Sequence, residues 1–144
     1  MSAVVTAARG WIGTPYRHQA SVRGAGADCL GLIRGVWREL YGAEPAEVPA
    51  YTADWAEPQG HEALMEASCA HLERYASPCW TPGTVVLFRM KETALAKHLG
   101  ILSETGAAPK FIHAYSGHAV VESALSAPWR RRVVGWFAFP ERSL

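Results

Sequence analysis

The hydrophobic positions change their spacing about halfway along the chain. In the first half they recur every three to four residues, which is typical of amphipathic helices. This spacing predicts three helices, at residues 2–12, 29–41 and 61–74. Gly42 follows the second helix, at the position where a glycine often ends one. The stretches at 16–27 and 43–60 contain Gly or Pro and lack a clear period, so we expect loops there.

After Pro78 the apolar residues occur in short runs separated by Gly and Pro clusters. These runs predict five strands, at 84–88, 97–103, 110–115, 119–124 and 132–139. The connections between them are too short for crossover helices, so the sheet should be antiparallel. Helices followed by strands predict an α+β fold for one domain of residues 1–144. Its N-terminal helices should pack on a C-terminal antiparallel sheet of about five to six strands.

The bulk composition argues against several functional classes. The chain has 144 residues, of which 49% are hydrophobic and 19% charged, as in ordinary globular domains. A formal net charge of +1 argues against nucleic-acid binding, and the basic run at 130–132 fits a solvated edge. No apolar run reaches membrane-spanning length, so we expect no membrane insertion. Residues 1–11 lack the pattern of a signal peptide, so we expect a protein made in the cytoplasm without one.

Cys29 is the residue that most clearly suggests chemistry. It follows Asp28, a good helix N-cap, and begins the predicted helix at 29–41. A thiol in the first helical turn lies near unpaired backbone N–H groups and the positive end of the helix dipole. Both favour the nucleophilic thiolate, which predicts a cysteine hydrolase. The alternative is that Cys29 is a small buried hydrophobic residue.

The other cysteines and the histidines are the candidate partners of Cys29 and the candidate metal ligands. Cys69 is expected in the core on the inner side of its helix, and Cys79 in a loop beside Trp80. Of the six histidines, His98 and His113 lie in predicted strands that could face each other in a hairpin. A zinc site is disfavoured, because there is no Cys-x-x-Cys pair and no His pair at i, i+4.

Three segments in the same order resemble the NlpC-type family of cell-wall cysteine peptidases. Residues 12–16 (IGTPY) with 26–32 (GADCLGL) resemble the family block "GTPY…G.DCSGL". Residues 82–88 (PGTVVLF) resemble its "PGDLVFF" strand. Residues 98–102 (HLGIL) with 111–114 (FIHA) resemble "HVGIYLG…FIHA". The order and rough spacing match over most of the chain.

This resemblance implies a papain-like NlpC-type fold and the roles of several residues. It implies Cys29 as nucleophile, His98 as general base and His113 as the residue that orients the His98 imidazole. Tyr16 and Asp28 are expected to line the oxyanion or substrate region. Family members hydrolyse amide bonds in peptidoglycan stem peptides, often between D-glutamate and diaminopimelate. No metal or organic cofactor is implied.

The sequence departs from the family pattern around the expected groove. Leu30 stands where the family usually has Ser, and a loop with Arg17 and Arg23 replaces the customary "WGG". We expect this loop to border the groove, where the two guanidinium groups could pair with stem-peptide carboxylates. The alternative role for both arginines is solubility.

The small size and the absence of a signal peptide resemble the phage-tail and gene-transfer-agent branch of the family. This resemblance implies tail or baseplate partners and delivery to the cell wall in a phage-like particle. Two alternatives remain open at this point. One is an amidase or acyltransferase acting on another substrate. The other is a catalytically inert tail or baseplate component with the same fold.

Overall fold

The computed structural model describes residues 2–45, 63–90 and 96–140. Within these ranges the chain forms four helices, α1 (Ala3–Arg9), α2 (Cys29–Tyr41), α3 (Ala63–His71) and α4 (Ala127–Arg130). The same ranges contain eight strands, β1 (Ser21–Val22), β2 (Gly26–Ala27), β3 (Glu73–Arg74), β4 (Val85–Arg89), β5 (Ala96–Glu104), β6 (Lys110–Ala114), β7 (Val120–Ala124) and β8 (Val133–Ala138).

The described strands form a small sheet and a large one. β1 and β2 pair antiparallel in the loop before α2. The other six pair antiparallel in the order β3-β8-β4-β5-β6-β7. β5 and β6 are neighbours in the middle of this order, with Ile101 opposite Ile112. Because His98 and His113 lie on these two strands, the pairing brings the two histidines near each other.

The core lies between the helices and one face of the large sheet. α2 contributes Leu32, Ile33 and Val36, which are buried in one cluster with Leu99 and Ile112 of the sheet. This packing holds the N-terminal end of α2 against β5. The second face carries a smaller buried cluster, including Phe88 and Phe111, with Trp129 of α4 packed against it. The predicted α+β fold, with helices packed on an antiparallel sheet, is confirmed.

Most predicted elements are present, with shifted ends. The first helix ends at Arg9, so Ile12 lies beyond its end and is 44% exposed. The helix predicted at 61–74 ends at His71, and Glu73–Arg74 is a strand instead. The loop predicted at 43–60 lies mostly outside the described residues. α4 and the short strands β1, β2 and β3 were not predicted.

One buried position was predicted wrongly. Cys69 is exposed, whereas Leu64 and Ser68 of the same helix are buried. Leu64 and Ser68 lie four residues apart and so face the same way. Cys69 is turned about 100° further round the helix. No helix in the described parts of the chain is both long and apolar enough to cross a membrane.

Candidate active site

Cys29 is the first residue of α2, as the sequence predicts, and its side chain is buried. Asp28 is the N-cap, and its carboxylate accepts a hydrogen bond from the backbone N–H of Gly31 at 2.7 Å. This bond satisfies one of the free N–H groups at the helix start. The cap therefore fixes the first turn, and with it the direction of the Cys29 side chain.

The second carboxylate oxygen of Asp28 holds the preceding loop. It accepts a hydrogen bond at 2.7 Å from the backbone N–H of Gln19, a non-glycine residue with a φ of 64°. The loop also passes close to α2, because a Cβ atom on Gly31 would lie 1.9 Å from the carbonyl oxygen of Ala20. Asp28 and Gly31 thus position the 17–20 loop against the start of α2.

His98 and His113 are buried and contact each other. His98 Nε2 lies 2.8 Å from His113 Nδ1, and His113 Nε2 lies 3.0 Å from Ser123 Oγ. Aromatic rings surround the pair. The Phe111 ring stacks on His113 with centroids 4.0 Å apart, and Trp129 lies 5.6 Å from the His98 ring and 5.3 Å from the His113 ring. The predicted hairpin arrangement of the two histidines is present.

Cys29 and His98 line the same cavity, which has a volume of about 160 Å³. The predicted residues Tyr16 and Asp28 also line it. His113 lies behind His98 and does not itself line the cavity. Further lining residues are His18, Met90, Lys97, Ala114, Tyr115 and Ser116. The fold therefore brings four of the predicted site residues to one cavity. His113 does not contact the cavity, but it is hydrogen-bonded to His98, which does.

The surroundings of Cys29 act on its pKa in two opposite directions. The pKa of the Cys29 thiol is raised to about 12. Burial is the larger cause, and the charge of the Asp28 carboxylate is the second. Hydrogen bonds from the backbone N–H groups of Leu99 and Leu30 act in the opposite direction and are outweighed. The helix start does offer donors, but the loss of water around the sulfur is the larger effect. In the free site the environment therefore favours the neutral thiol, whereas the helix start alone would favour the thiolate.

Burial also keeps both histidines neutral. It lowers the pKa of His98 to about 3, with a further contribution from the charge of His113. It lowers the pKa of His113 to about 4, with a smaller contribution from His118. A neutral imidazole carries one unprotonated nitrogen and can act as a base. His98 Nε2 is engaged with His113, so Nδ1 is the ring nitrogen that this contact leaves available.

Tyr16 has the environment of a hydrogen-bond donor. Its side chain is partly buried beside Cys29 and Asp28. Burial, followed by the charges of these two residues, raises the pKa of its phenol. The hydroxyl therefore keeps its proton at neutral pH and can donate it to a negatively charged oxygen in the cavity.

Arg17 and Arg23 are not among the residues that line this cavity. The Arg17 side chain packs over Gly26, where an added Cβ would lie 2.5 Å from Arg17 Cδ. The Arg23 guanidinium lies over Gly10 and pairs with Glu39 at 3.4 Å. Besides His98, the nitrogen-bearing side chains that line the cavity are His18 and Lys97.

Sequence reasoning missed His18, Lys97, Ser123 and Trp129. His18 and Lys97 are adjacent in sequence to predicted site residues, Arg17 and His98, and this adjacency was a usable signal. Ser123 and Trp129 gave none, since a strand serine and a helical tryptophan are common in any fold. The part of the chain that the structure describes contains no group of three or more His, Cys, Asp or Glu residues arranged to hold a metal ion.

Comparison with known proteins gives a family match and several structural likenesses. The sequence profile described as "NlpC/P60 family" matches residues 13–137. No curated protein matches the chain. The NlpC/P60 domain of the peptidoglycan hydrolase SagA superposes with a TM-score of 0.63 and 18% identity, over 94% of this chain and 96% of that chain.

Two further structures show the same fold. One is a Staphylococcus aureus Mu50 protein described as similar to a lipoprotein of the NLP/P60 family. It superposes on 97% of this chain with a TM-score of 0.63 and 17% identity, and this chain spans 41% of its length. The other is Ly7917, solved with the hydrolysing product of MDP, with a TM-score of 0.62 and 15% identity. That match covers 96% of this chain and 62% of Ly7917.

Proposed function

Because this chain belongs to the NlpC/P60 family, we propose that it is a cysteine peptidase that hydrolyses amide bonds in the stem peptides of peptidoglycan. The observation that carries the proposal is the meeting of Cys29 and His98 at one cavity, with His113 hydrogen-bonded behind His98. A nucleophile, a base and a residue that orients the base are the parts that acyl transfer requires. SagA, which has the same fold, is named a peptidoglycan hydrolase.

In the first step the Cys29 sulfur attacks the carbonyl carbon of the scissile amide. The thiol and the imidazole are both neutral in the free site, so the thiol proton moves to His98 Nδ1 as the sulfur–carbon bond forms. The carbonyl oxygen becomes an oxyanion. The Cys29 backbone N–H, at the start of α2, and the Tyr16 hydroxyl are the donors placed to stabilise it.

In the second step the carbon–nitrogen bond breaks, and protonated His98 gives its proton to the leaving amine. This leaves a thioester between Cys29 and the acyl part of the substrate. Water then attacks the thioester while His98 takes its proton. Release of the carboxylic acid restores the Cys29 thiol, so no metal or organic cofactor is required.

Digestion of purified peptidoglycan tests the proposal. We expect the wild-type protein to release soluble stem-peptide fragments, and mass spectrometry of their ends names the bond that is cut. Cys29→Ala should release none while keeping its unfolding temperature, whereas the double variant Cys69→Ser/Cys79→Ser should digest at the wild-type rate. Fragment release by Cys29→Ala would contradict the assignment of the nucleophile.

The same digestion separates the alternatives. An amidase or acyltransferase for another substrate would leave peptidoglycan intact, yet would form a covalent adduct on Cys29 with a simple activated ester. An inert tail or baseplate component would do neither. Peptidoglycan fragments from the wild type alone would exclude both alternatives.

We also propose that the peptidase acts from a phage tail or phage-like particle, opening the cell wall during DNA delivery. Its support is the sequence resemblance to the phage-tail and gene-transfer-agent branch, which implies tail or baseplate proteins as partners. The test is mass spectrometry of density-purified particles from the source cells. We expect the chain in intact particles at a fixed ratio to tail proteins, and its absence would contradict this role.

A further inference from the structure

The hydrogen-bonded chain behind Cys29 does not end at His113. His113 Nδ1 lies 2.8 Å from His98 Nε2, and its other ring nitrogen, Nε2, lies 3.0 Å from Ser123 Oγ on β7. Ser123 is opposite Phe111 in the β6–β7 pair, and His113 is opposite Val121. The serine therefore sits diagonally from His113 on the same face of the sheet.

The direction of this chain decides whether His98 can act as a base. Each neutral imidazole carries one N–H, so fixing the proton on one ring nitrogen fixes the whole chain. If Ser123 Oγ accepts, the His113 proton is on Nε2, His113 Nδ1 accepts from His98 Nε2–H, and His98 Nδ1 is unprotonated. If Ser123 donates instead, every proton shifts, and His98 Nδ1 carries hydrogen and cannot take one from Cys29.

The surroundings of the two rings make Ser123 the group that sets the direction of these hydrogen bonds. His98 is 6% exposed and His113 is 2% exposed, so water has little access to either ring. Phe111 covers one side of His113, and Trp129 approaches both rings. Ser123 itself is only partly buried. Its own hydrogen can therefore point to solvent while its oxygen accepts from His113 Nε2–H.

We propose that Ser123 is a positioning residue that selects, through His113, the His98 tautomer with an unprotonated Nδ1. The proposal has a kinetic consequence, an effect on kcat, which rests on the proposed hydrolase activity. Its structural consequence, the tautomers of two histidines, is independent of that activity. The two consequences are therefore measured separately.

The direct test is nitrogen NMR of the free protein with ¹⁵N-labelled histidine rings, in the wild type, Ser123→Ala and Ser123→Thr. The wild type should show protons on Nε2 of both His98 and His113. Ser123→Ala removes the acceptor, so a measurable fraction of both rings should move to the Nδ1–H tautomer. Ser123→Thr keeps a hydroxyl on a residue that suits a strand, and should restore the wild-type pattern.

Ser103→Ala is the matched control. Ser103 is likewise a serine of the large sheet, but it is buried and its hydroxyl donates to Glu122 at 2.6 Å. Glu122 precedes Ser123 directly, so its side chain points to the opposite face of the sheet. Loss of this bond should affect stability and leave both histidine tautomers unchanged.

Kinetics on a soluble stem peptide provide the second readout. Ser123→Ala should lower kcat by the factor that its tautomer shift sets, about twofold if half of the molecules hold His98 with hydrogen on Nδ1, and KM should stay within about twofold. Ser123→Thr should recover most of the lost kcat. Identical histidine tautomers in Ser123→Ala and the wild type would overturn the proposal, whatever the rates. If the wild type cleaves no peptidoglycan, the proposed function fails while the tautomer pattern still decides the role of Ser123.

Discussion

At the scale of single residues, the site depends on how burial sets the charge of Cys29 and His98. The position at a helix start suggests a thiolate, yet the buried environment favours a neutral thiol with a pKa of about 12. The same burial keeps His98 unprotonated. A neutral pair avoids two unsolvated charges in the free enzyme and separates charge only as the substrate is attacked.

Asp28→Asn should make Cys29 more reactive. The Asp28 carboxylate raises the pKa of the thiol, and an asparagine keeps the N-cap while removing the charge. The midpoint of iodoacetamide alkylation against pH should therefore move down by a fraction of a pH unit or more. The measurement uses a Cys69→Ser/Cys79→Ser background, so that only Cys29 reacts. An unchanged or higher midpoint would show that Asp28 does not oppose the thiolate.

Acid should destabilise the wild type more than His98→Gln. An unfolded histidine takes up a proton below its ordinary pKa of 6.5, whereas folded His98 does so only near pH 3. The unfolded state thus binds more protons in this window, and the folded state loses stability as the pH falls through it. Between pH 7 and 5 the wild type should lose about 2 kcal/mol more unfolding free energy than His98→Gln.

Urea unfolding at pH 7 and pH 5 measures this difference. Carboxylates that titrate in the same range are common to both proteins and cancel in the comparison. Equal losses for the two proteins would mean that His98 is protonated as readily in the folded chain as in the unfolded chain.

At the scale of elements, α2 and the loop before it form the wall of the cavity that carries Cys29, the proposed nucleophile. Two contacts join them: the bond from Gln19 N–H to the Asp28 carboxylate, and the close approach of Ala20 to Gly31. The second contact requires glycine at position 31. The loop places His18 at the cavity, so the position of the loop affects which groups line the cavity as well as the stability of the fold.

Gly31→Ala should displace this loop. The added Cβ would lie 1.9 Å from the Ala20 carbonyl oxygen, so one of the two segments must move. We expect a loss of about 1–3 kcal/mol in unfolding free energy and a reduced kcat/KM. Gly35 lies on the same helix as Gly31, and a Cβ added there would meet the Trp11 ring. Gly35→Ala should therefore lower stability with little effect on kcat/KM. Equal kinetic effects of the two variants would contradict a specific role for the loop.

The sequence predicts elements well where a long pattern repeats. The thirteen residues of α2 and the apolar strands of the large sheet have such patterns. α4 has four residues and β3 has two, and neither is long enough for a hydrophobic period to repeat. For the site, the sequence indicates the positions of Cys29, His98 and His113 through local motifs. It does not indicate the charge of Cys29 or the directions of Arg17 and Arg23, because these depend on contacts between distant segments.

At the scale of the whole molecule, the fold brings a helix start and two sheet strands to one cavity. The Cys29 sulfur accepts a hydrogen bond from the backbone of Leu99, the residue after His98, so the proposed nucleophile contacts the strand that carries the proposed base. His113 and Ser123 then extend the hydrogen-bonded chain across β6 to β7. The central claim of this account is that Cys29 forms a covalent acyl intermediate during amide hydrolysis.

Trapping that intermediate tests the claim most directly. A soluble stem peptide is mixed with the protein, the reaction is quenched in acid within one turnover, and the mass of the intact protein is measured. The account predicts a mass increase equal to the acyl fragment, located by peptide mapping on Cys29 and absent from Cys29→Ala. Cleavage of the substrate without any adduct, or with the adduct on Cys69 or Cys79, would contradict it.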